Sequence, residues 1–168
     1  MTVPVFGSVD ELLLGVLRRF FAENAPGVHI GTLVTPNMPL PAIVARSERR
    51  SGTIANKVTD DRFLRPAVIS VKTFPAGVDA DEAGEELQEA IHQAFRRAHD
   101  EQWVIPDAGV INTLDNSTVP SRVSDWATST GVVQYAALPK GWVRYESIWR
   151  LLIRPPEQST ITNRFLKH

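Results

Sequence analysis

The chain contains no cysteine. Disulfides, thiolate nucleophiles and cysteine-ligated zinc are therefore excluded, and the absence fits a reducing compartment. Net charge is almost as scarce: 18 Lys and Arg stand against 19 Asp and Glu, leaving −1 at neutral pH. A chain so balanced lacks the overall field that draws a protein to nucleic acid or anionic lipid, so any such contact must come from a local patch. Long hydrophobic runs are missing too. The longest near the N-terminus, residues 12–17, follows Asp10 and Glu11 and precedes Arg18 and Arg19. It is too short to cross a bilayer and has no basic segment ahead of it. It reads as neither a span nor a signal peptide, and the expected location is inside a cell.

Catalytic signatures are absent as well. The ten glycines form no G-x-G-x-x-G and no Walker phosphate loop, and no G-x-S-x-G elbow gives the serines a hydrolase context. The histidines are His29, His92, His99 and His168, and none has H-E-x-x-H spacing. His92 and His99 stand a heptad apart with no ligand between them, which reads as solvated helix histidines. No cofactor motif is present.

What is there is packing information. Residues 62–75 read as a strand in which Ala67, Ile69, Val71 and Thr73 alternate with Val68, Ser70, Lys72 and Phe74. Residues 79–99 read as an amphipathic helix with Ala83, Leu87, Ala90, Ile91, Ala94, Phe95 and Ala98 on one stripe. Ser8 and Glu11 have the spacing of a capping box, so a helix is expected from there to about Asn24, ended by Pro26 and Gly27. Leu13, Val16, Leu17, Phe20 and Phe21 are its candidate core residues. Short strands are expected over 28–34 and 42–46. Further strands are expected over 110–114, 122–126, 132–138 and 142–153, with a Pro139-Lys140-Gly141 hairpin joining the last two. In the final strand Val143, Tyr145, Ser147, Trp149, Leu151 and Ile153 share a face. Arg144, Glu146, Arg150 and Arg154 take the other, which leaves one face for the core and one for water or a partner. The expectation is a single α+β domain over residues 1–154, an antiparallel sheet flanked by two main amphipathic helices. A polar tail follows over 155–168. At 168 residues, 43% of them hydrophobic, the chain suffices for a core burying roughly 70% of the unfolded surface.

Two charged clusters carry alternative readings. Asp79, Asp81, Glu82, Glu85 and Glu86 complement the dipole of the helix they open, or hold a divalent cation. Arg46, Arg49, Arg50, Lys57, Arg62 and Arg65 make the chain's only basic concentration, around a polar stretch, 47–61, with no sustained period. They read as a solvated loop offset by Glu48, Asp60 and Asp61, or as a surface for nucleic acid or an acidic partner. Trp103, Trp126, Trp142 and Trp149 are core candidates, and Trp142, directly after a turn, doubles as a candidate interface anchor.

The layout has a family likeness. An N-terminal amphipathic helix leads into a strand around Pro41-Ala42-Ile43-Val44-Ala45-Arg46. Arg65-Pro66-Ala67-Val68-Ile69-Ser70-Val71 precedes an Ala/Glu-rich helix, and Arg144-Tyr145-Glu146-Ser147-Ile148-Trp149-Arg150 closes the domain. Over about residues 8–154 this resembles the tail terminator, or tail completion, proteins of long-tailed siphovirus-type phages. The resemblance implies a structural virion protein and not an enzyme, with no catalytic residue to carry over. It implies a homomeric ring, usually a hexamer, assembled in the host cytoplasm at the head-proximal end of the tail. Its partners are the tail tube protein and the head–tail connector, and DNA crosses its lumen without sequence-specific binding. The loop over 47–61 occupies the place of the family's ring-contact loop. Arg46, Arg49, Arg50, Lys57, Arg62 and Trp142 are thereby the candidate subunit or lumen residues. Another connector or neck protein, a small-molecule-binding α+β domain and an enzyme with a dispersed site stay open beside it.

Overall fold

The computed structural model describes residues 7–48, 64–116, 118–123 and 142–156. The first helix, α1 (Val9–Asn24), begins where the capping box places it. Ser8 is the N-cap, and its hydroxyl accepts a hydrogen bond from the Glu11 N–H at 3.4 Å. This satisfies one of the donors that a helix start leaves open. The five expected core residues of α1 are buried, and Leu12 joins them.

After α1 come β1 (His29–Gly31), β2 (Ala42–Ser47), β3 (Arg65–Phe74), α2 (Ala80–Asp100), β4 (Val110–Asn116), β5 (Ser121–Val123) and β6 (Arg144–Arg154). The class is α+β. The strands form one sheet in the order β1-β2-β3-β6-β4, with β5 also paired to β6. All pairings but one are antiparallel; β1 runs parallel to β2. The expected purely antiparallel sheet is thus corrected to a mixed one, and the expected strand over 28–34 shrinks to three residues. The cause lies in residues 32–41, where Pro36, Pro39 and Pro41 preclude a tight hairpin. The connection instead crosses one face of the sheet, where Val34, Met38 and Leu40 pack on Ala42, Val44 and Phe74. Parallel neighbours need such a crossover. The expected strand over 132–138, its hairpin and the tail after residue 156 lie outside the described residues. Pro155 and Pro156 are buried.

Both helices cover the other face. Alternate residues of the central strands, Ile43 and Ala45, Ala67, Ile69 and Val71, then Trp149, Leu151 and Ile153, form one cluster with the buried stripes of α1 and α2. The stripe of α2 differs from expectation at its N-terminal half. Gly84, Gln88, Ile91, Ala94, Phe95 and Ala98 are buried, while Ala83, Leu87 and Ala90 are half-buried. Gly84 occupies the stripe because a Cβ there would overlap the Tyr145 ring, so its absence lets the helix sit close to β6. Gln88 occupies it for a reason given below. The far ends of the helices are joined around Trp103, which is buried. The Arg19 guanidinium lies 4.0 Å from its ring centroid and that of Arg97 5.4 Å. The indole N–H donates to Glu101 at 2.7 Å, and Arg97 donates to Glu101 at 2.8 Å and to Glu23 at 3.4 Å. These hydrogen bonds, Arg97 first, hold the Glu101 carboxyl below the usual carboxylate range.

Phe95 is fully buried and meets Trp149 edge-on, with centroids 5.3 Å apart. Truncating Phe95→Ala is expected to cost about 3–5 kcal/mol of unfolding free energy in a denaturant titration, as for other buried aromatic deletions.

Candidate interface on the helix-free face of the sheet

The cross-strand register fixes what the face away from the helices presents. Arg46 lies opposite Ser70, which lies opposite Ile148. Val44, Lys72, Glu146 and Ser121 form the next row, Val68, Arg150 and Asp115 another, and Pro66, Leu152 and Thr113 a fourth. At one end the 34–40 connection and the half-buried Trp142 cover this face, and the Trp142 ring meets Phe74 edge-on at 6.0 Å. Elsewhere Val68, Ile148 and Leu152 are half-buried and Arg150 is exposed.

The charges are matched across strands: Lys72 stands directly opposite Glu146, and Arg150 opposite Asp115. Glu146 also accepts a hydrogen bond from the Ser70 hydroxyl at 3.0 Å. Opposite-charge pairs at facing positions each contribute roughly 0.2–1 kcal/mol to a sheet. They also leave a surface of mixed sign, unlike the clustered cations of a tight phosphate binder. One member of the expected polar face departs from it. Arg144 is buried, at 2% exposure, because it sits at the covered end, next to Trp142.

Of the candidate interface residues, Arg46 and Trp142 are both on this face, at different places along it. Arg49, Arg50, Lys57 and Arg62 lie outside the described residues. The end of β2 beside Arg46 is pinned. The Ser47 N–H donates to the Asp10 carboxylate at 2.6 Å, and the Glu48 N–H donates to the Val68 carbonyl at 2.8 Å.

The opposite face holds polar groups that sequence reasoning did not single out. Gln88 donates from its amide to Thr73 Oγ1 at 3.2 Å and accepts from Ser147 Oγ at 2.7 Å, while the Trp149 indole N–H donates to Ser147 Oγ at 3.0 Å. The chain is buried and complete, so α2 is fixed in rotation over β3 and β6. The visible signals were Thr73 and Ser147, lone polar residues on otherwise apolar strand faces. The acidic start of α2 is also specific. Asp81 accepts from the Tyr145 hydroxyl at 3.0 Å and from Arg122 at 3.2 Å. His92 is not a solvated histidine but half-buried, its ring edge-on to Trp149 at 5.4 Å. Among the described residues no group of three or more His, Cys, Asp or Glu is placed to hold a metal ion, and no helix is long and apolar enough to cross a membrane. No family model matches this chain, and no curated protein matches it.

Gln88→Ala strips both hydroxyls of their shared partner in a buried setting, so a loss of about 1–3 kcal/mol is expected in denaturant unfolding. The Tyr145 phenol is expected to mark alkaline unfolding. Burial, then its hydrogen bond to Asp81, raises its pKa above the ordinary 10.0. The fold thus favours the protonated phenol. This contribution is fully present below pH 10.0 and is lost as pH rises from there through the folded-state value. Stability of the native chain should fall more steeply above that pH than stability of Tyr145→Phe, measured by urea unfolding across the alkaline range.

Proposed function

We propose that this protein is a tail terminator of a long-tailed phage: a structural virion protein that closes the tail tube as a homomeric ring, six copies by the family's habit, and joins it to the head connector. The observation that carries the reading is the two-sided sheet. Helices and core occupy one side. The other presents half-buried apolar residues among charges matched across strands, with Arg46 next to the end of β2. A subunit of a ring needs such a second face for contacts with its neighbours. A lumen crossed by DNA needs a surface that does not hold phosphate, and a face of mixed sign on a chain of net charge −1 meets that need. The order of elements over residues 8–154 supplies the family likeness. The role assigned is mechanical: the ring ends tube growth and presents a docking surface to the connector, with no chemical step.

The double variant Arg46→Glu/Arg150→Glu tests the reading. Arg150 is exposed and Arg46 half-buried, and Arg150→Glu also sets a like charge opposite Asp115, so the monomer should keep its unfolding free energy within about 2 kcal/mol. Reversed charges at a contact surface disturb register and partner choice. A phage deleted for this gene and supplied with the variant in trans is expected to yield unjoined heads and tails and little infectivity. Full infectivity, with tails of normal length joined to heads, contradicts the assignment.

A further inference from the structure

A groove of about 360 Å³ lies between the C-terminal half of α1 and the segment that ends in β1. Its volume falls in the range of ligand-sized sites, about 300–1,000 Å³. Phe21, Ala25, Val28 and Ile30 make its apolar wall, Arg18 adds a guanidinium, and no acidic residue lines it; His29 borders it from β1, with its side chain on the face of its partner Ala42. One wall of the groove is a sheet edge, for among the described residues β1 pairs with β2 alone. The register sets which backbone groups that edge offers. His29 lies opposite Ala42 and donates its N–H to the Pro41 carbonyl at 2.9 Å. In a parallel ladder the following residue turns its N–H and C=O away from the partner strand. Ile30 therefore directs a backbone donor and acceptor outward, beside the groove.

We infer that this groove is a docking site for an extended segment of a partner protein, which adds to β1 as an extra strand, sets an apolar side chain against Phe21 and Val28, and brings a carboxylate to Arg18. Backbone pairing to a sheet edge supplies affinity in this mode, and the pockets beside the edge supply specificity. Charge decides the kind of segment: Arg18, with no acidic residue in the lining, favours an acidic residue flanked by apolar ones, since a guanidinium can pair bidentately with a carboxylate. The occupant is a separate polypeptide. Its site lies on the helix-covered side of the sheet, apart from the face proposed for ring contacts, so the inference stands or falls independently of the tail-terminator reading.

The test uses the full ¹⁵N-labelled chain and three probes: an eight-residue peptide alternating valine and glutamate, its valine/glutamine counterpart, and decanoate. The acidic peptide is expected to shift the amide resonances of Ile30 and Gly31 in a saturable way, with the glutamine peptide weaker by about fivefold. Arg18→Ala, at an exposed position, should weaken the acidic peptide by a similar factor. Ile30→Pro removes the outward N–H and leaves the His29 hydrogen bond to Pro41 intact, so it should abolish binding while the remaining spectrum persists. Should Ile30→Pro fail to fold, the Arg18→Ala comparison decides alone. Equal binding of both peptides, binding of decanoate without the peptides, or no saturable shift overturns the inference. So do Ile30 and Gly31 shifts that grow with protein concentration alone, which would make a second copy the occupant.

Discussion

Nine consecutive pairs between residues 65–73 of β3 and 145–153 of β6 form the longest ladder of the sheet, and the remaining architecture is arranged around it. Because side chains alternate across a strand, this one register decides which residues of both strands meet the helices and which do not. A slip of β6 by one residue would send Trp149 and Leu151 to the helix-free side and bring Glu146 and Arg150 under α2. The hydrophobic cost of that exchange keeps the register single-valued. The buried hydrogen bonds add a second constraint. Thr73 and Ser147 are brought to one side by the ladder, and Gln88 spans them from the helix above. The helix is therefore located in rotation by hydrogen bonding, and the close approach at Gly84 sets its distance from the sheet.

That division of the sheet also divides the molecule's tasks. The helix-covered side provides stability through buried Leu, Ile, Phe and Trp side chains. The other side is left with residues that pair across strands without closing a second full core. Among the described residues only its end near Phe74 is filled, by the connection that makes β1 parallel to β2. The same connection leaves β1, among the described residues, as the sheet's edge beside α1, where the groove with Arg18 is found. The connection with Pro36, Pro39 and Pro41 thus goes together, among the described residues, with a mixed sheet, a half-covered second face and an edge at β1.

Much of this was legible in the sequence where periodicity is strong. The capping box at Ser8 and Glu11 located α1, and its apolar stripe named the buried residues because every member is large and aliphatic or aromatic. The strand over residues 65–74 and the final strand were legible from their alternation. What escaped was decided by partners distant in sequence. Gln88 and Gly84 look like solvent-facing helix residues until Thr73, Ser147 and Tyr145 are brought beneath them. Arg144 follows the charged alternation of its strand, yet the covered end of the sheet buries it. The strand expected over 28–34 is present, but its length of three residues and its parallel pairing to β2 leave no period from which either could be read. In the candidate interface, Arg46 and Trp142 were found from composition and position. Lys72, Glu146, Arg150 and Asp115 acquire meaning only through the cross-strand register.

The central claim, that this subunit works as part of a closed ring, is tested most directly by the mass of the unmodified protein in solution. Static light scattering over a wide concentration range should detect a discrete species of six copies of the 18.6 kDa chain, with no continuous series of larger aggregates. Closure predicts that plateau, because a ring satisfies every contact surface. A monomer at every concentration, or a mass that climbs without limit, would contradict the account.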